Sequence, residues 1–193
     1  METMGAEPSS VAGRLSRDVE NDIAEAWRAI DAGSQQPIPA RYRIPHLSFQ
    51  LLEDPPSEKT LDQLEQLAIR WTPVPVRLGG LGVFRQPRAV LYITVVRSPR
   101  LEALQRDVTL KLVEAGHKPH RLYRPDSWVP HVSIAFGSPG IKGWKRVLQQ
   151  EKQGVFHRRT YIESLLVLSA DRRRPLAMEA PLGMRAGGQR TEP

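Results

Sequence analysis

The chain has 193 residues, 40% of them hydrophobic and 25% charged, with a formal net charge of +7. That length and balance suit one globular domain or two small lobes sharing a core, and the positive excess favours a polyanionic partner such as RNA or a nucleotide. Cysteine is absent, which excludes a disulfide framework, a thiolate metal site and a cysteine nucleophile; with apolar runs far too short to span a bilayer and no signal-like start, a cytoplasmic protein with no membrane partner is expected.

In chain order, residues 1–12 read as a disordered N-terminus. The spacing of Leu15, Val19, Ile23, Ala26, Trp27 and Ile30 predicts a helix near 16–32, stopped by Gly33. The proline-bearing stretch SQQPIPARY leads into a strand at 43–52. A second helix is predicted from Thr60, where Gln63 completes a capping-box signature, with Leu61, Leu64, Leu67, Ala68 and Trp71 on its apolar face. Two strands follow at 74–84 and 89–97, joined by RQPR. Ser98 and Pro99 then form a favoured cap and first position for a helix that carries Leu101, Leu104, Val108 and Leu112 inward and ends at Gly116. A basic loop, HKPHRLYRPDSW, leads to a strand at 129–137. A last helix covers 140–153, with Ile141, Trp144 and Leu148 expected inward, and strands follow at 156–169 and 174–181. Residues 183–193 read as a flexible tail.

The order helix, strand, helix, two strands therefore occurs twice, which predicts two α+β lobes related by a pseudo-twofold axis. The lobes cover about 13–97 and 98–182 of a single bilobal unit, with strands open to exchange between them. The second half also has a strand before its helix, at 89–97, whereas SSVAGRL before the first helix makes a poor candidate for the equivalent strand.

The strand after each lobe's first helix carries the same motif: PHLSF at 45–49 and PHVSI at 130–134. Chance supplies roughly 0.05 copies of Pro-His-x-Ser/Thr in a chain of this composition. Side chains of a strand alternate faces, so Leu47, Phe49 and Leu51 share one face and His46, Ser48 and Gln50 the other; likewise Val132, Ile134 and Phe136 oppose His131, Ser133 and Ala135. With the apolar sets in the core, His46, His131, Ser48 and Ser133 converge if the opposite faces line one cleft. Two imidazoles can supply a base and an acid on opposite sides of a phosphorus without a metal, and the two serine hydroxyls can hydrogen-bond its non-bridging oxygens. A single strand histidine is more often structural than catalytic, but that reading gives no reason for the same frame in both halves. His117, His120 and His157 lack a ligand set at familiar metal spacing, so no metal and no cofactor are expected.

The motifs PHLSF and WVPHVSIAFG resemble the paired H-x-[ST]-x motifs of the two-histidine (2H) phosphoesterase superfamily, most closely its bacterial 2′-5′ RNA ligase or LigT-like branch. VPVRLGGLGVFRQPRAVLYITVV resembles that family's hairpin after the second helix, and YIESLLVLSADRRRPLAMEAPLG its closing strands, so that the likeness covers about residues 15–182. It implies an α+β fold of bilobal, duplicated 2H-phosphoesterase type, with two antiparallel-rich sheets flanking a central cleft and helices outside. It implies metal-independent action on 2′,3′-cyclic phosphates or 2′-5′ linkages of RNA or small nucleotides, with reverse ligation also open. It makes His46 and His131 the acid–base pair, either taking either role, and Ser48 and Ser133 the phosphate-binding hydroxyls. Serine stands at both positions where the family more often has threonine.

Arg43, Arg121 and Arg124 precede the motif strands and are candidates for phosphate contacts, and Tyr123 and Trp128 for stacking on an unpaired base. The expected partners are RNA ends or small nucleotide cyclic phosphates, acted on by a monomer. The alternatives are a non-catalytic RNA-end binding module, which would need the cleft but not both imidazoles, and a hydrolase of another cyclic phosphoester such as an ADP-ribose cyclic phosphate.

Overall fold

A computed structural model describes residues 9–31, 44–85, 89–136, 140–169 and 174–183 of the chain. Among them, strands and helices alternate as β1 (Ser9–Leu15), α1 (Arg17–Asp31), β2 (His46–Leu52), α2 (Glu58–Arg70), β3 (Val74–Phe84), β4 (Val90–Val95), α3 (Pro99–Glu114), β5 (His131–Phe136), α4 (Gly140–Lys152), β6 (Arg159–Leu168) and β7 (Leu176–Pro181), with a short 3-10 turn at Arg121–Tyr123 between α3 and β5. Residues 184–193 of the expected tail lie outside the described residues.

β1 corrects the sequence reading. Residues 9–12, taken there as disordered, belong to a strand made of SSVAGRL, buried almost throughout and paired antiparallel to β2 on one side and β6 on the other. The stretch lacks the run of large apolar residues that marks a strand because its neighbours leave little room. A Cβ on Gly13 would come 2.7 Å from Ile162 Cγ2 and 3.1 Å from the Phe49 ring, so glycine is needed for the close approach.

The helices follow their apolar spacing, with two local corrections. α2 is capped by Ser57, whose side chain accepts from the Thr60 N–H while Thr60 answers the cap's own N–H, so the capping box lies three residues before the expected Thr60/Gln63 pair. In α4, Val147 is fully buried and Trp144 packs partly against the core, while Leu148, expected inward, is 48% exposed. The side chain of Ile141 lies outside the described residues. α3 is capped by Ser98 with Pro99 in its first turn, as its sequence predicts.

The strands hydrogen-bond in the order β2-β1-β6-β3-β4-β5, with β7 added alongside β6, and each pairing is antiparallel. Exchanging β1 with β4, β2 with β5 and β3 with β6 reverses this order onto itself, as a pseudo-twofold axis between β6 and β3 requires. The halves trade strands: β6 of the second half lies beside β1 of the first, and β3 of the first beside β4 of the second. β3 makes this possible by changing partner along its length. Val74–Arg77 pairs with β6, the segment from Leu78 to Phe84 pairs with β4, and between Leu78 and Leu81 the register shifts at Gly80, whose φ of +88° only glycine adopts easily. β3 thus carries the chain from one antiparallel sheet to the next.

The helices pair in the same symmetric way, α1 against α4 and α2 against α3. The main core joins both halves, from Val11, Ile23 and Phe49 to Ile93, Leu104 and Val132. β2 and β5 stand at opposite ends of the strand order and nevertheless lie in contact, so the two edges that carry the motifs meet. Among the described residues no helix is long and apolar enough to cross a membrane.

Candidate active site

The contact between β2 and β5 leaves a cleft of about 190 Å³ whose walls include His46, Ser48, His131 and Ser133. All four motif residues therefore meet in one space. Each wall is a ladder of cross-strand pairs. On the first, His46 stands opposite Arg14 and Ser48 opposite Ala12; on the second, His131 stands opposite Thr94 and Ser133 opposite Tyr92.

Beyond the serines the simple alternation fails, in the same way twice. The register of β2 against β1 shifts between Gln50 and Ser48, leaving Phe49 as the extra residue; that of β5 against β4 shifts between Ala135 and Ser133, leaving Ile134 as the extra one. Both bulges fall three residues after the histidine. A bulge moves the following side chains to the other face. Gln50 and Ala135, expected beside the histidines, are buried at 1% and 2% exposure. Leu51 and Phe136, expected in the cores, line the cleft instead.

Both imidazoles are oriented by the same local bond. His46 Nδ1 lies 2.7 Å from the carbonyl oxygen of Ile44, and His131 Nδ1 lies 2.7 Å from that of Val129. A carbonyl only accepts, so each Nδ1 donates its hydrogen and Nε2 is the basic nitrogen of the neutral ring.

The second histidine sits in an aromatic corner. Phe84 and Tyr92 stack on each other at 4.2 Å between ring centroids, and both meet the His131 ring edge-on, at 4.9 Å and 5.3 Å. Burial there pushes the pKa of His131 below the ordinary imidazole value, against the opposing effect of its bond to Val129. Phe84 and Tyr92 were not candidates from the sequence. The available signal was their alternation in phase with the motif across the hairpin, which needs the β4–β5 register to be read.

The remaining sequence candidates divide. Tyr123 lines the cleft. Trp128 does not stack in it: the residue is 3% exposed, its indole N–H donates to the Ser48 carbonyl at 3.0 Å, and its ring packs near Phe49. It therefore fixes β2 against the loop before β5. Arg121 and Arg124 are exposed and lie outside the cleft lining; their carbonyls accept from Ser127, and that of Arg124 also from the Trp128 N–H. Arg43 lies outside the described residues. Sequence reasoning also missed Ser10 and Ser169, which line the same cleft.

The loop carrying Tyr123 hangs on buried amides. Gln50 Oε1 accepts from the His120 N–H at 3.0 Å, and Gln105 Nε2 donates to the Tyr123 carbonyl at 2.7 Å. The other histidines have structural partners: His117 Nε2 meets the Thr60 hydroxyl, His120 Nδ1 accepts from the Leu122 N–H, and His157 pairs with Glu151. Among the described residues no group of three or more His, Cys, Asp or Glu is placed to hold a metal ion.

Comparison with known proteins gives a concordant picture. Residues 16–174 match the model of the 2′-5′ RNA ligase superfamily. No curated protein matches the sequence. Among solved structures, TT0787 of Thermus thermophilus is similar at 19% identity and a TM-score of 0.58, over 84% of this chain and 87% of that one. Escherichia coli LigT complexed with 3′-AMP is similar at 19% identity and a TM-score of 0.55, over 92% of this chain and 99% of that one. Usb1 of Kluyveromyces marxianus is similar at 12% identity and a TM-score of 0.50, over 93% and 100% of the two chains. At these identities the likeness to the solved structures is one of fold.

Proposed function

The chain belongs to the 2′-5′ RNA ligase superfamily, and from that premise we propose that it is a metal-independent phosphodiesterase that opens 2′,3′-cyclic phosphates at RNA ends or on small nucleotides. The observation that carries the reading is the convergence of His46, Ser48, His131 and Ser133 on one cleft, with both imidazoles held in the same tautomer by the carbonyl two residues earlier. A nucleotide substrate accords with the 3′-AMP complex of the similar LigT fold and with the basic charge of the chain.

In this reading His131 is the base and His46 the acid. A base must be neutral to act, and burial among Phe84 and Tyr92 favours the neutral ring of His131 at neutral pH. Its Nε2 accepts a proton from water as the water oxygen attacks phosphorus. The bond from phosphorus to O3′ breaks, and His46, as imidazolium, donates its Nε2 proton to the departing oxygen. Solvent returns both rings to their starting states. The products are a 2′-phosphate and a free 3′-hydroxyl. The Ser48 and Ser133 hydroxyls donate to the non-bridging oxygens, which carry more charge as the fifth bond forms. With a 5′-hydroxyl end in place of water as the attacking group, the same steps join two ends through a 2′-5′ linkage, and their reversal splits that linkage back to a cyclic phosphate and a 5′-hydroxyl.

The test is a substrate panel in the presence of EDTA: the four nucleoside 2′,3′-cyclic phosphates, an oligoribonucleotide ending in a cyclic phosphate, a 2′-5′-linked dinucleotide and an ADP-ribose cyclic phosphate, with products resolved by phosphorus NMR. Hydrolysis of a ribonucleotide cyclic phosphate to the 2′-phosphate supports the reading. Activity that disappears with EDTA, a 3′-phosphate product, or turnover of the ADP-ribose compound alone contradicts it.

A further inference from the structure

The two motif serines are related by the fold but face different residues across their strands. Opposite Ser48 in the first half is Ala12; opposite Ser133 in the second half is Tyr92. The Tyr92 ring lies on bare backbone. Its partner across the β3–β4 hairpin is Gly82, where a Cβ would come 2.5 Å from Tyr92 Cε2 and Cζ and 2.7 Å from its hydroxyl oxygen. Only a residue without a side chain lets the ring lie so close to the strand. From that seat Tyr92 stacks on Phe84 with 25° between ring planes and meets the edge of the imidazole of His131 at 63°.

We propose that Tyr92, seated on Gly82, is a positioning residue that holds the imidazole of His131 upright and keeps water from the side of the ring it packs against. The inference rests on the cyclic phosphodiesterase reading for its consequence in turnover, but not for its physical content. Tyr92 touches His131 and acts through it. In the first half the corresponding side chain is the methyl group of Ala12, which offers no ring to wall off His46. The aromatic wall thus inclines the imidazole of His131 to stay neutral, as the role of base requires.

Groups on the neighbouring elements also bear on the charge of His131. Thr94 faces it from β4, Phe84 from β3, and His46 across the cleft from β2; Tyr123 lines the cleft from the 3-10 turn. Among the described cleft residues the titratable ones are the two histidines and Tyr123, with the Tyr92 phenol beneath His131. No carboxylate in that set offsets the burial.

The experiment is an NMR titration of the imidazole nitrogens in the full chain, which needs no substrate, run on the wild type, Tyr92→Leu, Tyr92→Phe and Gly82→Ala. In the wild type His131 titrates below the ordinary value of about 6.5. Tyr92→Leu raises it by roughly half a unit or more as water reaches the ring, with His46 unmoved. Tyr92→Phe, which keeps the ring, stays with the wild type. Gly82→Ala, if folded, displaces the ring and follows Tyr92→Leu. On a cyclic phosphate substrate the sign follows: the base works when neutral, so kcat/KM falls as pH drops through its pKa, and a raised pKa moves that falling limb to higher pH. An unmoved His131 titration in Tyr92→Leu overturns the proposal. A shifted titration without turnover of any cyclic phosphate upholds it and contradicts the catalytic reading instead.

Discussion

Each motif histidine donates Nδ1–H to the carbonyl two residues before it, so the strand itself sets which nitrogen is basic. Ser48 and Ser133 have the complementary task at phosphorus. Replacing either with alanine is expected to lower kcat/KM by about 10²-fold, the usual loss for one donor to a developing oxyanion, with little change in melting temperature. Steady-state kinetics beside a thermal melt checks this; a variant at wild-type rate removes that serine from the mechanism. The motif residues were legible in the sequence because a strand presents its second neighbour on the same face. Trp128 was misread because a tryptophan beside a basic loop has two common uses. Burial of its ring with an N–H bond to Ser48 is the one taken.

The elements were largely legible from periodicity, and their irregularities were not. The bulges at Phe49 and Ile134 are register effects between strands, and nothing within HLSFQLL or HVSIAF alone marks them. One consequence is Gln50, which the bulge buries under the loop at 117–128, where it receives the His120 N–H. Gln50→Leu leaves that donor without its side-chain acceptor, an expected cost of about 1–3 kcal/mol. Because the same loop presents Tyr123 to the cleft, KM should rise more than kcat falls. Urea denaturation with parallel kinetics decides: unchanged stability and unchanged KM would show that Gln50 does not hold the loop. β1 was illegible for the opposite reason. A central strand in tight quarters uses Ser, Ala and Gly, the residues that sequence patterns assign to loops.

For the whole molecule, the sheet order reads the same from both ends once each half has contributed a strand to the other. The duplication was visible as repeated element order, while the exchange was not, since neither β3 nor β6 carries a sign of its distant neighbour. Two consequences follow. The halves are not separable, and β1 cannot be dispensed with, because it stands between β2 and β6. A chain begun at Ser16 should therefore lose cooperative unfolding and near-ultraviolet circular dichroism; a soluble, sharply melting product would contradict the topology. The same symmetry brings His46 and His131 to one cleft from opposite halves.

The most direct measurement is single-turnover hydrolysis of a nucleoside 2′,3′-cyclic phosphate by His46→Ala, His131→Ala and the double variant, with substrate affinity determined alongside. If both rings act on one phosphorus, each single change should slow the step by about 10²–10⁴-fold. The double change should be far from the product of the two, as for groups that work as a unit, and affinity should stay within a few-fold. Either single variant hydrolysing at the wild-type rate would contradict the account.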